Sequence, residues 1–133
     1  MDIYKYKILL ISDDQNLFQM VGDIIQAGKI EAGLEQSVDY HNIIKAFNSN
    51  LYDITLVDSR IFSGKGLQVV KTSREQGCDS AIIYIENDNH NNIEHALEMG
   101  VTAYLLQEEL ESHLAYSIKH SYHFNTALKK TRV

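Results

Sequence analysis

The chain has 133 residues, 44% of them hydrophobic and 23% charged, with a formal net charge of −6. That is the size and composition of one domain around one core, and its acidic balance argues against non-specific binding to nucleic acid or to an anionic membrane surface. No apolar run approaches the roughly 20 residues of a membrane span, and the single cysteine, Cys78, has no internal disulfide partner, which suits a reducing cytoplasm.

In chain order, the first apolar run is "ILLI" (8–11), which stops at Ser12 and the adjacent carboxylates Asp13 and Asp14. Leu17, Val21, Ile24 and Ile25 then take helical spacing up to Gly28. A weaker strand is expected over 32–38, "AGLEQSV", followed by a helix carrying Ile43, Ile44 and Phe47. "ITLV" (54–57) is the third strand and ends at Asp58. Leu67, Val70 and Lys71 mark the next helix, "AIIYI" (81–85) the fourth strand, and Ile93, Ala96 and Leu97 a short helix. "AYLL" (103–106) is the fifth strand, and Leu110, Leu114 and Ile118 begin a last helix. The strand runs are short and nearly continuous, as in strands buried on both faces of a parallel sheet. Five β-α repeats predict an α/β three-layer sandwich, a parallel sheet with helices on both faces and right-handed crossovers; the five-stranded order taken here is 2-1-3-4-5, the flavodoxin-like (βα)5 arrangement, which is one of the common doubly wound orders.

In such sheets function gathers at the carboxyl ends of the strands. Strands one and three are neighbours in this order, so Asp13, Asp14 and Asp58 are expected at one rim. Three carboxylates together need a cation, and hard oxygen ligands suit Mg²⁺. The plainer reading is that they are ordinary strand-end or helix-capping acids. A flavodoxin-like binding domain or small enzyme is disfavoured, because the loop after the first strand, "SDDQN", is acidic and glycine-free and would repel phosphate.

These stretches resemble a family, the receiver domains of two-component response regulators, from about Lys7 to Tyr122. "LLISDD" looks like the metal-holding acidic pair, "YDITLVDSRIFSGKGLQVVK" like the strand, phosphoacceptor loop and third helix, and "ALEMGVTAYLL" like the turn into the fifth strand. The resemblance implies a non-enzymatic, cytoplasmic signalling domain. Asp58 would be the phosphoacceptor, Asp13 and Asp14 the Mg²⁺ pair, the Arg60 backbone carbonyl a further metal ligand, and Tyr104 the aromatic of the output face. The implied partners are a sensor histidine kinase or other signalling protein, with an output domain in the same parent chain.

Two positions depart from the family pattern. Ile85 stands where a Ser or Thr hydroxyl is expected, and Gln107 where a Lys is expected. Phosphoryl transfer relies on positioning and on positive charge, so these losses predict a poorly phosphorylated, atypical receiver. The less favoured alternative is that Arg60 or Lys65 swings in and restores some charge. A phosphorylation-independent interaction or dimerisation module is the second reading.

The tail from Glu109 to Lys130 reads as one helix of about six turns, with Leu110, Leu114, Ile118, Ser121, Asn125 and Leu128 near one stripe. Residues 1–122 are taken as the receiver and 123–133 as a helical extension or linker. Tyr116, Tyr122 and Phe124 would offer an apolar surface to a partner or a second copy. The six histidines are read as surface residues.

Overall fold

The structure, a computed structural model, describes residues 5–87 and 92–131, with side chains described up to Thr126 in the last helix. Five strands alternate with five main helices: β1 (Tyr6–Ile11), α1 (Gln15–Ala27), β2 (Ala32–Ser37), α2 (Tyr40–Ser49), β3 (Ile54–Asp58), α3 (Gly66–Glu75), β4 (Ala81–Glu86), α4 (Ile93–Met99), β5 (Ala103–Leu106) and α5 (Leu110–Thr131). The sheet order is β2-β1-β3-β4-β5 and all pairs are parallel, as the sequence predicts. No helix among the described residues is long and apolar enough to cross a membrane.

The continuous apolar strands have their explanation in two cores, one per sheet face. Ile8, Leu10, Leu56, Ile83 and Ile85 meet Leu17, Val21 and Ile25 of α1 and Leu110, Leu114 and Ile118 of α5. Their alternates, Leu9, Ile11, Val57, Ile82 and Tyr84, meet Ile43 and Phe47 of α2, Val69 and Val70 of α3 and Ala96 of α4. Side chains alternate along a strand, so only a strand covered on both faces is apolar at every position. β2 lies at the edge and none of its residues is fully buried, which accounts for its weaker signature.

Helix α5 stays attached to the domain past residue 122. Ser121 is buried, and the Asn125 side chain donates to the Asp79 carbonyl at 2.8 Å. Tyr122 packs edge-on against Tyr6, with ring centroids 4.6 Å apart, so it does not join Tyr116 and Phe124 in an exposed surface. The Leu128 side chain lies outside the described residues.

One guanidinium ties the opposite end of the sheet together. Arg74, at the end of α3, donates to the carbonyls of Gly100, Cys78 and Ser80 at 2.7–3.0 Å. Gly100 sits at φ +107°, where a Cβ would come within 2.7 Å of Arg74 Cγ, so this turn accepts glycine and little else. Arg74→Met keeps the aliphatic stem but strands those carbonyls; we expect a loss of about 2 kcal/mol, since bonds to charged groups contribute roughly 1.5–3 kcal/mol, measured by urea denaturation.

Candidate functional site

The site is built where β1 and β3 end side by side. Ile11 pairs with Val57 in register, so the residues that follow, Ser12 to Asp14 and Asp58 to Arg60, leave the sheet together. Asp14 caps α1: its side chain accepts from the amides of Asn16 and Leu17 at 2.9 and 3.1 Å. The plainer sequence reading therefore holds for Asp14, which is a helix cap as well as a member of the rim.

Asp58 is 1% exposed and carries four hydrogen bonds. Its Oδ1 accepts from the Arg60 backbone amide at 3.0 Å and from Arg60 Nε at 3.1 Å. Its Oδ2 accepts from the Ser12 hydroxyl at 2.6 Å and from Arg60 Nη2 at 3.1 Å. The same Nη2 reaches Asp14 Oδ2 at 2.8 Å. Two carboxylates expected to be joined by a metal are thus joined by a guanidinium. Asp13 is exposed, and the bond set runs through Asp14 and Asp58.

The sequence expects a ligand set of Asp13, Asp14, Asp58 and the Arg60 carbonyl; the groups that meet here are the side chains of Asp14, Asp58 and Arg60. Among the described residues, no group of three or more His, Cys, Asp or Glu side chains is placed to hold a metal ion. The Arg60 carbonyl is engaged in the following turn, where it accepts the Gly64 amide at 3.1 Å. Mg²⁺ demands near-octahedral oxygen ligands at about 2.0–2.1 Å and keeps several waters, whereas here the space between the carboxylates is filled by nitrogen donors. The residues as arranged do not fit the ion.

The loop after Arg60 is wound unusually tightly. Phe62 and Ser63 adopt left-handed conformations at φ 52° and 60°, followed by Gly64 at φ 89°. A left-handed non-glycine residue costs about 1–2 kcal/mol. The turn brings Gly66 against the strand end, where an added Cβ would lie 2.8 Å from Ser59 Cα and 2.9 Å from the Asp58 carbonyl oxygen. Helix α3 can start there only because that residue has no side chain.

At the end of β4, Ile85 and Glu86 face opposite ways. Ile85 is 1% exposed and belongs to the core shared with α1 and α5. The β4 side chain that reaches the rim is Glu86. It lines a pocket of about 540 Å³ together with Ser59, Arg60, Lys65, Tyr84 and Asn92. Glu86 is only 6% exposed, yet its carboxylate accepts from the Tyr104 hydroxyl at 3.0 Å, from Asn92 Nδ2 at 3.1 Å and from the Asn87 amide at 3.1 Å. Burial and the bond to Glu86 push the Tyr104 hydroxyl above its ordinary range, so it stays a protonated donor. Its ring stacks on Tyr84, centroids 5.7 Å apart. Gln107 accepts from Asn87 Nδ2 at 3.1 Å, and among the described residues no hydrogen bond joins it to Asp58.

Ser12 is not singled out by the sequence, Arg60 enters only as the less favoured source of charge, and Glu86 only as nearby negative charge unfavourable to an incoming anion, not as the partner of Tyr104. Ser12 has a visible signal, a hydroxyl interrupting the apolar run one residue before the acids. Glu86 has another, a carboxylate closing a strand whose other residues are apolar or aromatic.

No known family profile matches the chain. It is 29% identical over 124 residues to the transcriptional regulatory protein CiaR of Streptococcus pneumoniae (strain ATCC BAA-255 / R6), covering 90% of this chain and 54% of CiaR. The chain thus spans about half the length of the curated relative it matches. Among solved structures, the receiver domain of a Francisella response regulator superposes with a TM-score of 0.75 at 21% identity, covering 90% of this chain and 98% of that one. A CheY-like receiver domain protein from Methanospirillum hungatei JF-1 gives 0.75 at 15% identity, covering 92% and 97%. The fold is the receiver fold. The likeness to CiaR and the acidic rim at the ends of β1 and β3 make the chain similar to receiver domains of the response-regulator type.

The Asp14 carboxyl lies below its ordinary range. Partial burial acts against this, and the Leu17 amide, the Arg60 guanidinium and the Asn16 amide outweigh it. A depressed carboxyl stabilises the fold above its unfolded value, near 3.8, and that contribution is lost as pH falls through the folded value. Asp14→Asn keeps a capping oxygen but cannot titrate. The stability gap between the parent and this variant, read from urea midpoints, is expected to shrink as pH drops below about 4.

Proposed function

We propose that this receiver signals by protein–protein contact and is poorly phosphorylated at Asp58, the phosphoacceptor position, and that it is not an enzyme. The single observation that carries this reading is the saturation of Asp58. An ionised carboxylate offers about four lone-pair sites, and here four donors meet its two oxygens. Attack on a phosphoryl group needs one of those lone pairs, so at least one bond must break first. The positions that would assist an incoming phosphoryl group add little. Gln107 brings no charge and is bonded to Asn87, and Glu86 contributes negative charge from the same rim. Loss of one positioned donor commonly costs about 3 kcal/mol at a transition state, which is a factor of some hundred in rate.

A sensor histidine kinase or other signalling protein as partner, an output domain in the parent chain and a cytoplasmic setting belong to this reading. CiaR is named a transcriptional regulatory protein and is nearly twice the length matched, which supports an output domain beyond the present sequence. Incubation with acetyl phosphate, or with beryllofluoride, in the presence of Mg²⁺ is expected to give substoichiometric adduct by intact mass. Stoichiometric adduct, absent in Asp58→Asn and accompanied by broad amide shifts around Tyr104, would overturn the reading.

A second reading, an interaction or dimerisation module independent of phosphorylation, draws on Tyr116 and Phe124. They are 69% and 52% exposed on α5 and line one shallow groove with Ala103 and His120. Under it, the sedimentation coefficient of the full chain rises with concentration and Phe124→Ser abolishes the rise; a coefficient that stays that of a monomer at about 100 μM, above ordinary weak-dimer affinities, counts against it.

A further inference from the structure

We propose that Arg60 is a resident counter-ion which takes the place of a divalent cation at the rim, so that Mg²⁺ is excluded while the guanidinium is seated. This rests on the receiver reading above and adds to it the ionic state of the site.

The argument starts from geometry. Arg60 Nη2 lies 2.8 Å from Asp14 and 3.1 Å from Asp58, and Nε lies 3.1 Å from the other oxygen of Asp58. This is the planar fork that a guanidinium presents to a carboxylate, with one arm extended to a second carboxylate. A guanidinium is not deprotonated in proteins, so the cation is permanent. It also needs no dehydration comparable to that of Mg²⁺, which gives up water reluctantly. Two carboxylates and one guanidinium leave a single net negative charge, where the bare pair would hold two.

Position in the chain makes the seat cheap to occupy. Arg60 is two residues from Asp58, and its own backbone amide bonds the same Oδ1 that its Nε does. Amide and side chain therefore close a small ring around one oxygen. The Phe62–Gly64 turn closes on the Arg60 carbonyl, through the Gly64 amide, and fixes the direction in which the residue enters. A metal-ligating role for that carbonyl competes with this turn, and a metal between the carboxylates competes with the side chain.

Competition of this kind has a measurable form. When a ligand binds only the state in which a blocking group has left, its apparent affinity falls by the fraction of molecules in that state. The Arg60 side chain is 41% exposed, so it can leave toward solvent without unfolding its surroundings.

The test uses Mn²⁺ as the probe, followed by water-proton relaxation, with the thermal midpoint in Mg²⁺ as a second readout. The parent protein is expected to show no saturable Mn²⁺ binding at millimolar concentration and a midpoint unmoved by Mg²⁺. Arg60→Ala and Arg60→Met are expected to bind Mn²⁺ at least about tenfold more tightly and to be stabilised by Mg²⁺, with Asp58→Asn in the same background removing both effects. Parent protein that binds Mn²⁺ as tightly as Arg60→Ala overturns the proposal. So does a folded Arg60→Ala and Arg60→Met pair that binds no better than the parent. If neither variant folds, the parent alone decides: saturable millimolar binding overturns the proposal, and a midpoint independent of Mg²⁺ with no binding supports it. Adduct formation from acetyl phosphate by a parent protein that binds no Mn²⁺ would sink the poor-phosphorylation reading and leave this inference standing.

Discussion

Asp58 is a carboxylate at the end of a fully buried strand, and taking such a charge out of water is costly unless donors replace the lost water. Arg60 supplies three of the four donors that do so, two from its side chain and one from its backbone, and Ser12 supplies the fourth. Removing the guanidinium would leave a buried anion with half of its partners. The bridge to Asp14 is more exposed and correspondingly weaker, because solvent screens it. Its importance is positional: it links the cap of α1 to the end of β3 and holds the two strand termini in one cluster.

The backbone around this cluster is arranged to deliver Arg60 rather than merely to tolerate it. Two successive left-handed non-glycine residues are costly, and they persist where surrounding contacts over-determine them. Here the contacts are identifiable. Ile61 is buried in the core beneath α2 and α3, Phe62 packs edge-on against Tyr40 at 5.8 Å, and Gly66 presses on Ser59 and Asp58 with no room for a Cβ. The chain reverses tightly between two fixed points, Ile61 and Gly66, and the strain of the turn is held by packing at both ends.

How far the sequence alone reveals this molecule depends on whether a feature is periodic. The two-sided burial of β1, β3 and β4 and the helical faces repeat with period two or 3.6, so they are legible in apolar spacing, whereas the strand order has no period and is carried by the resemblance. The amphipathic helix α5 is legible for the same reason through Ile118 and Ser121. Single side-chain directions are not. The resemblance assigns Ile85 to the hydroxyl position, and in a strand one residue reverses the face; Ile85 belongs to the core under α1 and α5, and Glu86 faces Tyr104. Arg60 was legible as a residue type next to Asp58, but whether its carbonyl or its guanidinium meets the acids depends on the turn at Phe62 and Ser63. Nothing in "RIFSGKG" announces left-handed backbone at those two positions, because non-glycine residues adopt it rarely.

On the proposed reading, the rim and Tyr104 are linked through Glu86 rather than through a hydroxyl. A ligand moves a conformational equilibrium only by its difference in affinity for the two states. A seated Arg60 already satisfies Asp58, and Glu86 already holds Tyr104 through a charge-assisted bond in a buried setting, where such bonds are strong. Each bond favours the arrangement seen, so a phosphoryl group arriving at Asp58 would have to displace Arg60 before it could act on Tyr104, and would meet a carboxylate rather than a hydroxyl to pull. On the proposed reading, the free energy that moves Tyr104 must come from elsewhere. The pocket between Glu86, Lys65 and Arg60 offers a route: a partner with a cationic side chain for Glu86 or an anionic one for Arg60 would compete with the internal bonds one at a time. Control would then rest with protein contact at the rim, and the receiver fold would serve as a scaffold whose acidic centre is neutralised from within.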